Sequence, residues 1–137
     1  MAEYKVIEKI RNILKADTTI KGFVKDKVYA QHPSTIENPI FPAISIALLP
    51  GQARTNVPAM VDIVIQIDLW FPVDKYTVDD VMTCFRRVRA LLHRETLKDT
   101  TIDIELKQIM ETGIGPLMYD VDSKSHHLPA RYAVVAI

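Results

Sequence analysis

Apolar residues near the start of the chain recur three and four positions apart. Val6, Ile7, Ile10, Ile13 and Leu14 fall within one arc at ~100° per residue, while Lys5, Lys9 and Asn12 face the other way. That spacing predicts an amphipathic helix over residues 2–15. Asp17, Thr18 and Thr19 then suit a turn or the cap of a short second helical piece, which Ile20, Phe23 and Val24 would pack onto a core. Residues 28–31 read as a short strand, and 32–40, with Pro33 and Pro39 among Ser, Thr and Asn, as a loop. Residues 41–49 are apolar on both faces, which fits a buried strand entered through Pro42, and Pro50-Gly51 breaks it. The clearest alternation covers 59–71: Val61, Ile63, Ile65, Ile67 and Leu69 point one way, Asp62, Gln66 and Asp68 the other, with Val64 and Trp70 among them. Thr77 offers an N-cap followed by Asp79 and Asp80, and Val78, Val81, Phe85, Val88 and Leu92 make the apolar face of a helix over 78–93. Residues 102–111 alternate again until Gly113, Gly115 and Pro116 break the pattern. Residues 117–127 read as a loop or strand edge, and 128–137 as a last strand.

This order predicts an α+β fold: a mixed or antiparallel sheet of about four to five strands packed by two main helices. Strands 41–49 and 59–71 would form one antiparallel hairpin, and 102–111 with 128–137 another. The chain has 137 residues and no repeat or linker, so residues 1–137 read as a single domain. Hydrophobic residues make up 48% and charged residues 25%, a globular mixture. Seventeen Lys and Arg balance seventeen Asp and Glu. That neutrality argues against a dedicated nucleic-acid binder and leaves self-association unopposed by repulsion. Cys84, the one cysteine, excludes an internal disulfide and a thiolate cage. The chain lacks a signal-peptide pattern and a membrane-length apolar run, so it is expected to be soluble in a reducing compartment.

Candidate chemistry is sparse. Asp120 and Asp122 resemble the start of a calcium loop, but its sixth position would be Ser125 instead of Gly and its twelfth Arg131 instead of Glu. A phosphatase-type Asp-x-Asp nucleophile fails as well, since only fifteen residues follow Asp122, too few for a parallel sheet. The loop reads as a solvated turn. His126 and His127, adjacent in a strand, would project to opposite faces and read as surface histidines. Cys84 reads as a buried structural thiol. Gly113-x-Gly115 precedes a proline and no helix, so it does not cradle phosphate. Arg86, Arg89 and His93 cluster on one side of their helix and Arg87 and Arg94 on another, which splits any phosphate-gripping patch. Trp70 and Phe71 read as core edge. No catalytic residue, cofactor or metal is expected.

The whole chain resembles the tail-terminator (tail-completion, minor tail) proteins of long-tailed bacteriophages, in order and texture. The helix ending in Leu14, Lys15, Ala16 and Asp17 is followed by Ile20 and Val24. Val28-Tyr29 then leads through a proline loop to Phe41-Pro42-Ala43-Ile44-Ser45-Ile46. Next come Val64-Ile65-Gln66-Ile67-Asp68-Leu69-Trp70, the helix from Thr77 to Leu92, the Asp120/Asp122 loop and Arg131-Tyr132-Ala133-Val134. The resemblance implies a non-enzymatic virion protein at the head–tail junction, made in the host bacterial cytoplasm. It would form a ring, typically a hexamer, on the head-proximal end of the tail tube. Its partners would be its own copies, the tail tube protein and a head-completion or connector protein, with DNA passing through the lumen without sequence-specific binding. The alternatives are a small ligand-binding or regulatory module, ferredoxin-like for instance, and an enzyme using Asp120, Asp122 and His126 or His127.

A ring needs a patch that meets a different patch on the next copy. The connection 51–57 is too long for a tight hairpin and has little apolar content with which to fold on itself. Gly51, Gln52, Arg54, Thr55 and Asn56 are therefore expected at a subunit or tail-tube interface, with Arg54 as anchor. Tyr119, Asp120 and Asp122, in the polar stretch 118–127, are expected near the ring surface.

Overall fold

The structure, a computed structural model, describes residues 2–30, 40–49, 61–93, 97–99 and 104–136. Helix α1 (Ala2–Ala16) leads through Asp17 into α2 (Thr18–Val24), and β1 (Val28–Tyr29) follows. Strands β2 (Ala43–Leu49) and β3 (Val61–Pro72) precede α3 (Val78–Leu92). The chain then adds β4 (Leu97–Asp99), β5 (Ile104–Ile114), β6 (Met118–Asp120) and β7 (Ser125–Ala136). The α+β class holds, with the helices on one face of one mixed sheet.

The sheet runs β1-β2-β3-β7-β5-β4, with β6 also paired to β7. Only the β1–β2 pair is parallel among the described strands. Both expected antiparallel pairings, β2 with β3 and β5 with β7, are present. The central contact joins β3 to β7 over their full lengths, from Val61↔Ala136 to Pro72↔Ser125. The expected strands are present, β1 within the 28–31 stretch, and the sheet gains β4 and β6, which are three residues long and leave no periodicity to read. The expected start of the last strand, 128, moves back to Ser125, since β6 supplies a partner for Ser125, His126 and His127. Strand β5 runs through Gly113 to Ile114, so the break falls at Gly115, where φ is +79°.

Directly paired residues share a face, so register sorts the side chains. Ile63, Ile65, Ile67, Leu69 and Phe71 of β3 and Leu128, Ala130, Tyr132, Val134 and Ala136 of β7 point to the helices and are buried. Val6, Ile7, Ile10 and Leu14 of α1, Ile20 and Val24 of α2, and Val81, Cys84, Phe85, Val88 and Leu92 of α3 close over them. Phe23 meets the Phe71 edge, with centroids 5.6 Å apart. Lys9 departs from the expected solvent face and is buried. It lies only about 60° from Val6 on the wheel, so its stem runs along the edge of the buried arc.

The caps explain where helices start. Asp17 accepts from the Ile20 amide through Oδ2, which makes it the N-cap of α2. Thr77 and Asp80 form a reciprocal capping box on α3. Asp17 also accepts from Nε and Nη2 of Arg87 at 2.9 and 2.7 Å, joining α2 to α3. That bond, opposed by burial and helped by the Ile20 amide, holds the Asp17 carboxyl below its ordinary value.

Candidate functional site

Alternation places Ser45, Asp68, Gln66, Trp70, His127 and Arg131 on the sheet face away from the helices. There they form a connected polar row. Trp70 and His127 are direct cross-strand partners, and their rings stack with centroids 3.9 Å apart and planes 5° from parallel. Trp70 Nε1 donates to Ser45 Oγ at 2.9 Å. Asp68 Oδ1 accepts from Gln66 Nε2 at 2.9 Å and lies 2.7 Å from His127 Nε2. A carboxylate only accepts, so the network assigns the His127 proton to Nε2. Arg131 Nε donates to Gln66 Oε1 at 3.2 Å. Asp68 and Trp70 are each 3% exposed, although this face carries none of the described helices.

A cleft of about 410 Å³ adjoins the row. It opens where residues 115–117 interrupt the ladder between β5 and β6, with the Gly115 amide still donating to the Pro129 carbonyl at 2.8 Å. His127, Arg131 and Gln66 bring polar groups to it, and Met118, Pro116 and Pro129 apolar surface. No Ser, Thr, Cys, Tyr or Lys lines it among the described residues. The Arg131 guanidinium on the cleft lining can donate hydrogen bonds to an anionic or carbonyl group.

Several sequence readings change at this face. His126 and His127 do project to opposite sides, but neither is a plain surface residue. His126 Nε2 lies 3.2 Å from the Tyr76 carbonyl, and the His127 side chain is only 16% exposed. Trp70 is buried on the face away from the main core, while Phe71 lies within that core. Asp68 lies on the face opposite the core, as the alternation predicts, and it is buried there beside His127 of β7, a partner that sequence spacing does not reveal. The one available signal was an acidic residue flanked by Ile67 and Leu69, between Gln66 and Trp70, in the most apolar part of the strand.

The expected interface residues divide. Gly51, Gln52, Arg54, Thr55 and Asn56 lie outside the described residues. Tyr119, Asp120 and Asp122 belong to a β6–β7 hairpin. Asp120 Oδ2 accepts from the Ser123 amide at 2.9 Å and from Ser123 Oγ at 2.6 Å, which makes Asp120 the holder of the turn. Asp122 is exposed. The hairpin is less polar outside than expected: Leu117, Met118, Tyr119 and Val121 are all exposed, Tyr119 by 56% and Val121 by 73%.

The arginines of α3 split as the helical wheel predicts, and the split ties elements together. Arg87 binds Asp17, whereas Arg89 Nε lies 3.2 Å from Glu111 Oε2 and His93 Nδ1 accepts from the Glu111 amide. Beside them, Glu111 Oε1 and the Tyr132 hydroxyl are buried with no hydrogen-bond partner among the described residues. Burial, then the Glu111 charge, pushes the Tyr132 phenol up. No group of three or more His, Cys, Asp or Glu among the described residues is placed to hold a metal ion. No described helix is long and apolar enough to cross a membrane. The chain matches no family model, and no curated protein matches it.

Proposed function

We propose that this protein is a structural subunit of the tail-terminator type. It assembles into a ring, a hexamer in this reading, that caps the head-proximal end of a phage tail tube. The ring stops tube growth and offers the surface to which the head-completion or connector protein joins. DNA passes through its lumen without base-specific contacts. The subunit performs no catalysis and works in the virion.

The observation that carries this reading is the one-sided architecture. All described helices lie on one sheet face, and Leu117, Met118, Tyr119 and Val121, along the β6 strand and its turn to β7, are exposed. These side chains lie on both faces of the hairpin, Met118 beside His127 and Tyr119 beside His126, and exposed apolar side chains gathered on one element are available to a protein contact. Neutral net charge permits identical copies to gather without a repulsive field.

The test is tail-tube polymerisation with a tube protein from the same genome. Adding this chain should shorten the tubes and place a ring at one end in negative stain. Unchanged tube lengths and bare ends would refute the reading. The cleft beside His127 and Arg131 favours a second reading, a small ligand-binding module. A monomer that binds a small anionic ligand saturably and leaves tube growth unchanged would establish that instead. The order of the described elements, two helices, three strands, α3 and four more strands, is not the βαββαβ order of a ferredoxin-like module.

A further inference from the structure

Among the described residues, each side of the sheet is only partly closed. Strand β1 pairs with β2 at Ile44 and Ser45, so Ile46, Ala47, Leu48 and Leu49 have no outer partner strand among the described residues. Strand β4 pairs with β5 from Ile104 to Leu106, which leaves Gln108 to Ile114 without an outer partner strand among the described residues.

Register carried across the sheet shows that these openings match. Ile46 pairs with Ile67, Ile67 with Ala130, and Ala130 with Ile114. Leu49 pairs with Val64, Val64 with Ala133, and Ala133 with Met110. Ala47 likewise stands level with Gly113 and Leu48 with Glu111, while Thr112 is the extra residue of the β5 irregularity. The two open stretches therefore sit at one level on opposite sides of the sheet. Their capping strands, β1 and β4, lie towards opposite ends.

Direction matches as well. Three successive antiparallel steps, β2 to β3, β3 to β7 and β7 to β5, make β2 and β5 run oppositely. A second copy set beside the first in the same orientation brings its β2 against the first copy's β5, antiparallel. Leu48, 45% exposed, and Ile114, 46% exposed, then lie on the same face of the joined sheet. Open edges are normally blunted by charge or proline, yet the open stretch of β2 is Ile-Ala-Leu-Leu. Glu111, the acidic residue of the facing stretch, is turned inward to Arg89.

We infer that the partner of each edge is another copy of this chain, the open stretch of β2 adding to the open stretch of β5 as an intermolecular antiparallel strand pair. The contact is heterologous, so it repeats from copy to copy and makes a ring where the rotation between copies closes. The β6 hairpin continues the β5 side, so Met118 and Tyr119 flank the same contact. This inference names the self-contact of the proposed ring and rests on that reading for its partner.

The test is cross-linking between two single-cysteine-bearing variants, Leu48→Cys and Thr112→Cys, both at exposed positions, with a short bis-maleimide. Native Cys84 is fully buried and stays silent. An equimolar mixture should give cross-linked dimers containing one of each variant, at least ~10-fold more than either variant alone. Leu48→Lys should lower self-association while leaving helix content by circular dichroism unchanged. Equal cross-linking of Leu48→Cys with itself would show two-fold pairing and overturn the inference. Assembly by mass with no mixed cross-link would overturn it while leaving the ring reading intact. A chain that stays monomeric without cross-links would overturn both. A mixed cross-link with unchanged tube growth would keep the contact and remove the tail function.

Discussion

His127→Ala tests the polar row on the sheet face away from the described helices. The substitution removes two interactions at once: the hydrogen bond to Asp68 at 2.7 Å and the parallel stack on Trp70 at 3.9 Å. A hydrogen bond to a charged group contributes about 1.5–3 kcal/mol, and a stacked ring pair about 0.5–1.5 kcal/mol. Asp68 is 3% exposed, so water does not readily replace the lost donor, and Gln66 Nε2 is left to satisfy Oδ1. His127→Ala should therefore cost about 2–4 kcal/mol in urea unfolding followed by circular dichroism. His127→Phe keeps a ring against Trp70 and loses only the hydrogen bond, so its cost should fall to about 1.5–3 kcal/mol. A double-mutant cycle with Asp68→Asn isolates the coupling. A loss below ~0.5 kcal/mol for His127→Ala would refute the reasoning, because it would mean that Asp68 has neither lost a needed donor nor been kept dry. Equal losses for the Ala and Phe variants would show that the stack contributes nothing.

Phe85 is 3% exposed between α3 and the sheet, so Phe85→Ala should cost about 3–5 kcal/mol, and a loss under ~1 kcal/mol would place the ring outside the core. Asp17 has a lowered folded pKa, chiefly through its Arg87 hydrogen bond, so its contribution is present above the unfolded value near ~3.9 and disappears as pH falls through the folded value. Asp17→Asn should accordingly flatten the decline in urea midpoint below about pH 4, and an unchanged acid limb would contradict the link. Burial, with the Asp17 charge adding to it, pushes the Cys84 thiol up to about 12. An aromatic disulfide reagent at neutral pH should label it only after unfolding, whereas fast labelling of the native protein would show an open thiol.

Local patterning carried much of this architecture. The helical spacing of Val6 to Leu14 and of Val81 to Leu92 follows from burying one face, and each helix is observed where its apolar arc predicts. The Thr77 cap and the Asp17 cap were legible because a side-chain oxygen serves amides only three residues away. Alternation in Ile63 to Leu69 likewise identified which side of β3 faces the core. The single carboxylate–imidazole contact at the site was not legible in this way. Asp68 and His127 are 59 positions apart, and they meet only because β7 inserts beside β3 in a register set by two full strands. Lys9 was misread and the three-residue strands β4 and β6 were missed for a related reason: burial at the margin of an arc, and pairing over three residues, are decided by what packs alongside. The matching openings on β2 and β5 depend on strand order, a property of the whole sheet. Period and caps are short-range energies written into neighbouring residues. Strand neighbours are chosen by the collective burial of distant segments, and that choice exists only once the tertiary structure has formed.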